Sequence, residues 1–261
     1  MLDIMIPVFV FLTGICIGSF LNVCIYRMGR EQSVVRPGSH CPKCNKPIRP
    51  KDNIPLVSYI LLKGRCRDCG VKISPRYFFV EFLTGIVFLV MYHAFGLTVQ
   101  GFAYTVMISG LIVATFVDFD FRIIPDEISI GGMVLGLILS FIFPIQIQHV
   151  AGHFRGLFHS LLGVLVGGGV LWILGIVGDF LFKKESMGGG DIKLLAMIGA
   201  FLGWQTALLI LPISSLIGAV VGVIIKIRTK ESLIAFGPYL AMAAVICIFW
   251  KKEILSYFLL A

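Results

Sequence analysis

The sequence predicts an all-α protein of about eight membrane-crossing helices that carries one small polar loop domain. Three observations predict it. The chain is 58% hydrophobic with only 14% charged residues and a mean hydropathy of +0.97, whereas a soluble chain carries about 25% charged residues. Apolar runs long enough for a bilayer, which needs about 20 residues per helix, recur along its length. The basic residues are also unevenly placed: of 22 Lys and Arg, twelve fall between Arg27 and Arg76.

The runs place eight spans, at 4–26, 77–95, 101–117, 128–147, 157–182, 192–202, 206–225 and 235–249. Asp3 in place of a basic cluster, and a run of spanning length at 7–26, predict a first span rather than a cleaved signal. The sixth span is short and could fuse with the seventh around Gly203-Trp204. No fixed-period internal repeat is visible. The positive-inside rule puts the Arg27–Arg76 segment in the cytoplasm. Alternation then brings the third-to-fourth, fifth-to-sixth and seventh-to-eighth connections to the same side, with Arg122, Lys183, Lys184, Lys226, Arg228 and Lys230. Arg155, and Lys251 and Lys252 after the last span, run against the scheme. The net charge of +8 is thereby explained by topology and attraction to anionic lipid, and needs no nucleic-acid partner. The expected divisions are a first helix (1–27), a cytoplasmic cysteine loop (28–76) and a transmembrane domain (77–261).

In the first span, Gly14 and Gly18 form a small-xxx-small pair suited to close helix packing, and Asn22 reads first as an interhelical hydrogen bond. The loop holds Cys41-Pro42-Lys43-Cys44 and Cys66-Arg67-Asp68-Cys69, with 21 residues between the pairs. Two such knuckles supply four thiolates for a closed, structural zinc site. Two disulfides or a redox dithiol are the rival readings, and stable disulfides are disfavoured on the reducing side of the membrane. Cys16, Cys24 and Cys247 sit in apolar runs and read as core. Glu81 lies one turn inside the second span, as a snorkelling or Arg76-paired carboxylate or as part of a site.

Asp118 follows directly on Ala114-Thr115-Phe116-Val117, at the cytoplasmic end of the third span. Asp120 pairs with Arg122 or sits in interfacial water, Pro125 stops the helix, and Asp126 is placed to N-cap the fourth span. The string Met187-Gly188-Gly189-Gly190-Asp191-Ile192-Lys193 brings a second carboxylate to the edge of an apolar run on the same side. Carboxylates near a bilayer are costly and mark functional sites. Two held close cannot both ionise readily; they share a proton and serve as general base and general acid. That pairing predicts peptide hydrolysis without metal or covalent intermediate. Gly188, Gly189 and Gly190 would let a substrate backbone approach.

At these residues the chain resembles the type IV prepilin peptidases. The matching strings are Gly18-Ser19-Phe20-Leu21-Asn22-Val23, both cysteine knuckles, Asn53-Ile54-Pro55-Leu56, Asp118-Phe119-Asp120 with Pro125-Asp126, Gly188 to Ala196, and Phe236-Gly237-Pro238-Tyr239-Leu240-Ala241. The resemblance implies catalytic aspartates at Asp118 and Asp191 and prepilin or pseudopilin substrates with a basic leader. It implies cleavage after a glycine at the cytoplasmic face of a bacterial inner membrane, then methylation of the new N-terminus from S-adenosylmethionine. The Cys41, Cys44, Cys66, Cys69 loop would accompany methylation, with Glu81 a candidate for that site, and Asp120, Asp126 and Glu127 would receive the basic leader. A peptidase without methylation, a proton-coupled transporter using the same acids, and an inactive zinc-bearing scaffold are the alternatives.

Overall fold

The computed structural model describes residues 2–183, 187–229 and 235–259, so Lys184, Lys230 and Glu231 lie outside the described residues. The described residues are helical without strands. Helices α1 (Leu2–Met28), α2 (Val57–Leu61) and α3 (Pro75–Phe95) belong to one compact unit, Met1–Gly101. A second unit, Phe102–Ala261, holds nearly all of α4 (Val99–Phe121), then α5 (Asp126–Ile142), α6 (Pro144–Gln148), α7 (His153–Phe182), α8 (Gly189–Leu202), α9 (Trp204–Thr229) and α10 (Gly237–Leu259).

Among the described residues five helices, α1, α3, α4, α7 and α9, are long and apolar enough by length and composition to cross a membrane. The count of eight is not confirmed, and where the expected spans and the helices differ the reasons are local. The expected span 128–147 is two helices, because Pro144 lacks an N–H and its ring opposes helix continuation. What remains as α5 is 17 residues. The sixth span does not fuse with the seventh: α8 is 14 residues and ends at Gly203, whose φ of +79° is glycine's conformation. The last helix runs past Phe249 but breaks at Trp250 (φ −120°, ψ 16°). The third span continues through Asp118 and Asp120 to Phe121, so both acids are helical rather than in a loop.

In the first unit α1 and α3 cross closely. A Cβ on Gly14 would lie 2.8 Å from Gly85 Cα, and one on Gly18 would lie 2.7 Å from Glu81 Cα. Backbone approaches this near admit only glycine, as the small-xxx-small spacing predicts. Asn22 is buried and its Nδ2 donates to the Tyr77 carbonyl (2.9 Å), the expected interhelical bond.

The second unit is organised around α8. Every residue from Leu194 to Leu202 is buried. It packs on α7 at a glycine crossing, where a Cβ on either Gly163 or Gly199 would fall about 2 Å from the other's carbonyl oxygen. A buried helix end must have its last carbonyls satisfied. Ser160 Oγ (2.7 Å) and Gln148 Nε2 (2.9 Å) both donate to the Ala200 carbonyl. Gly203 donates to Gly199 (2.8 Å). At this end His149 lies beside Lys251 and Lys252; burial first, then their charges, hold its imidazole below the ordinary histidine range.

Candidate active site and cysteine cluster

The opposite end of α8 carries Asp191. Gly188 is its N-cap, with extended backbone (φ −72°, ψ 137°), and Asp191 stands in the first turn, where the helix dipole favours an acid. Asp118 comes from the last turn of α4 and is buried, 6% exposed. Its Oδ2 accepts a hydrogen bond from the backbone N–H of Gly237, first residue of α10 (3.0 Å). Asp118 is the charged group that acts on Asp191. Ile124 closes the wall between them. A Cβ on Gly190 would lie 3.0 Å from Ile124 Cβ, and one on Gly237 would lie 3.2 Å from Ile124 Cδ1 and 2.8 Å from Asp118 Oδ2. Gly190 and Gly237 are therefore glycine for want of space. Gly189 has open space around its α-carbon, and Gly188 faces Asp191 Oδ2. The two carboxylates thus converge from α4 and α8 with α10 as the third wall. Two acids in one sheltered site can pass a proton to and from a reacting group.

The other acids surround the pair differently. Asp126 does not cap α5: Pro125 is the N-cap, no side chain caps it, and Asp126 instead pairs with Lys193 Nζ (2.7 Å). A helix-starting acid is stabilised by the dipole without a capping bond, and the cation two residues after Asp191 draws it away. Asp120 and Glu127 are exposed. Sequence reasoning missed Gly237 and Ile124. Gly237 lies in the quoted Phe236-Gly237-Pro238 string, whose glycine before proline was the available signal.

In the first unit, Glu81 is buried (8% exposed) and accepts from the Leu56 N–H (2.7 Å). Neither reading from sequence foresaw this bond. Leu56 sits at φ +61°, a strained conformation for leucine. Glu81 therefore fastens the Asn53-Ile54-Pro55-Leu56 turn to α3.

The Sγ atoms of Cys41, Cys44, Cys66 and Cys69 all lie within 4.8 Å of one another. Thiolates at the corners of a zinc tetrahedron with bonds near 2.3 Å lie about 3.8 Å apart. Cys41 and Cys69 are separated by 3.8 Å. The N–H of Cys44 pulls the Cys41 thiol down to about 7. At Cys69 the Val71 bond pulls downward, yet burial and the neighbouring thiols push the group up to about 11. Four thiols that cannot all ionise unaided suit a divalent cation, so the cluster can hold zinc. The knuckles are also a structural duplicate. Cys41 donates to Lys46 O and Asn45 donates to Cys41 O; Cys66 donates to Val71 O and Gly70 to Cys66 O. Bridges pair His40 with Pro47 and Arg65 with Lys72. This local repeat escaped the sequence reading because it lives in backbone geometry.

Fold and site together define a polytopic helical membrane protein with a pair of sheltered carboxylates and a four-cysteine loop that could hold a metal ion. Residues 12–95 match the Bacterial Peptidase A24 N-terminal domain, and residues 105–223 match the Type IV leader peptidase family. The chain is 36% identical to the prepilin leader peptidase/N-methyltransferase of Pseudomonas aeruginosa, across 95% of this chain and 91% of that protein. Identity is 35% to that of Neisseria gonorrhoeae, across 88% and 85%. It reaches 40% to that of Myxococcus xanthus across 86% of this chain, which spans only 64% of that relative's length. No solved structure matches. The chain belongs to the type IV leader peptidase family, and it is a multi-pass inner-membrane protein.

Proposed function

We propose that this protein cleaves the basic leader from type IV prepilin-like proteins at the cytoplasmic face of the inner membrane and then methylates the new N-terminal residue. The observation that carries the reading is the convergence of Asp118 and Asp191 at one end of the second unit, in a chain whose relatives are named for both activities. One aspartate takes a proton from water and the other protonates the scissile carbonyl, so hydrolysis proceeds as general acid–base chemistry. The cytoplasmic side follows from the basic loops. Asp120, Asp126 and Glu127 receive the positive leader, with Asp126 exchanging Lys193 for a leader cation. Zinc at Cys41, Cys44, Cys66 and Cys69 is structural, fixing the loop. S-adenosylmethionine supplies the methyl group. We assign Glu81 to that half of the molecule, where it orders the Leu56 turn.

Mass spectrometry of a model prepilin incubated with wild type, Asp118→Asn, Asp191→Asn and Cys41→Ser tests this. Wild type is expected to yield a cut chain one methyl group heavier. Both aspartate variants are expected to leave the substrate intact, and Cys41→Ser to give cut but unmethylated product. Cleavage by either aspartate variant would overturn the peptidase assignment.

A further inference from the structure

The two aspartates differ in what surrounds them, and the difference concerns the one glycine that neither family motif of the pair contains. Asp118 Oδ2 accepts the N–H of Gly237, at the positive end of α10. The cation that acts on Asp118 is Arg122, from the turn just after α4, which also acts on Tyr239 of α10. Asp191 has the reverse environment. Its Oδ1 is buried and has no hydrogen-bond partner among the described residues, and the charge acting on it is that of Asp118. An N–H can donate only to an oxygen that accepts, so the shared proton of the pair is not on Asp118 Oδ2. A buried oxygen without a donor is tolerated far better on a neutral carboxyl than on a carboxylate.

We propose that the aspartates have fixed, distinct roles: Asp118 is the carboxylate that takes the proton from water, Asp191 holds the proton delivered to the scissile carbonyl, and Gly237 is the positioning residue that sets this polarity. The inference rests on the peptidase reading above. With Oδ2 engaged by Gly237, Asp118 presents Oδ1 to the water. Water gives a proton to Asp118 as its oxygen bonds to the carbonyl carbon, and Asp191 passes its proton to the carbonyl oxygen. The resulting gem-diol collapses: the C–N bond breaks, the amine leaves with the proton held by Asp118, and Asp191 recovers a proton from a diol hydroxyl. Both groups return to their starting states, and no oxidant or metal is required.

Gly237 also cannot be enlarged, since an added Cβ would meet Asp118 Oδ2 at 2.8 Å. Gly237→Ala is expected to turn that carboxylate away, lowering kcat for leader cleavage about 100-fold while KM for the prepilin stays constant, as for other small misplacements of reacting groups. Wild-type kcat in Gly237→Ala would overturn the positioning role. Infrared spectroscopy of the purified full chain assigns the proton independently, through near-isosteric variants. The carbonyl band of a protonated carboxyl is expected to disappear in Asp191→Asn and to persist in Asp118→Asn. The opposite pattern, or the same change in both, would overturn the assignment. Failure of the underlying reading looks different: either Asn variant would still cut prepilin.

Discussion

The two units solve the same problem, fixing polar chemistry at the end of an apolar helix pair, by different means. In the first, α1 and α3 meet at glycines, and 22% and 28% of their most apolar windows are buried. A pair of helices, however closely crossed, covers little of the segment between them, which folds through duplicated knuckles whose four thiols could hold a cation. In the second, α8 is buried along nine consecutive residues, and 61% of the window of α4 is buried. Asp118 and Asp191 are therefore held by packed helices. The paired carboxylates sit on the unit with the fully buried helix, and the cysteine cluster that could hold a metal sits in the two-helix unit.

The contrast breaks most visibly at the carboxylates. Asp118→Asn and Asp191→Asn should each lower cleavage by about 10³-fold or more, the range of a lost general acid or base. Methylation of an already cut pilin should be unchanged. A fall in both activities together would mean that the units do not divide the labour. Chelation gives the converse result. Stripping zinc removes a binding free energy of about 10 kcal/mol or more, which for so small a loop is its folding free energy. Methylation should vanish, and limited proteolysis should open sites between residues 28 and 74. Cleavage of the leader should persist, because nothing about Asp118 or Asp191 depends on the thiols.

Helix crossings come next in size. Gly199→Ala pushes a methyl to about 2 Å from the Gly163 carbonyl, whereas Gly18→Ala meets Glu81 Cα at 2.7 Å. Overpacking costs typically 1–3 kcal/mol and more where backbone blocks relaxation. Gly199→Ala should therefore lower the unfolding midpoint well beyond Gly18→Ala, as a thermal melt in detergent would read. Equal losses would show that the second unit is no more tightly packed than the first.

These crossings also mark how far sequence carries. The cysteines announce themselves through CxxC spacing, and the acids through their cost beside apolar runs, because both signals depend on residue identity. Gly14 and Gly18 were legible for the same reason. The Gly163–Gly199 crossing was not, since contacts between distant helices leave no spacing to read. The role of Gly237 was hidden too: its contribution is a backbone N–H, which every residue but proline has. Span length misled at Pro144, where a hydrophobic run continues although the helix does not. Hydropathy measures composition, while helix ends are set by backbone donors and by φ.

The smallest effect tests how much of the loop is held by anything besides its metal. Arg67 Nε and Nη2 grip both oxygens of Asp52 (2.7 and 2.6 Å). Those hydrogen bonds, with the Arg67 charge, hold the Asp52 carboxyl below its ordinary range. A depressed folded-state value means that the pair contributes stability above the unfolded carboxylate range, and loses that contribution as pH falls through the folded value. Arg67 is exposed although the Asp52 side chain is largely covered, and an ion pair with one partner in solvent is worth little beside four thiolates and a cation. Arg67→Ala should thus shift the loop's unfolding barely at neutral pH with zinc bound, and the difference from wild type should shrink further on acidification below the carboxylate range. A large loss at neutral pH would mean that ion pairs, rather than four thiolates and a cation, hold the first unit's loop together.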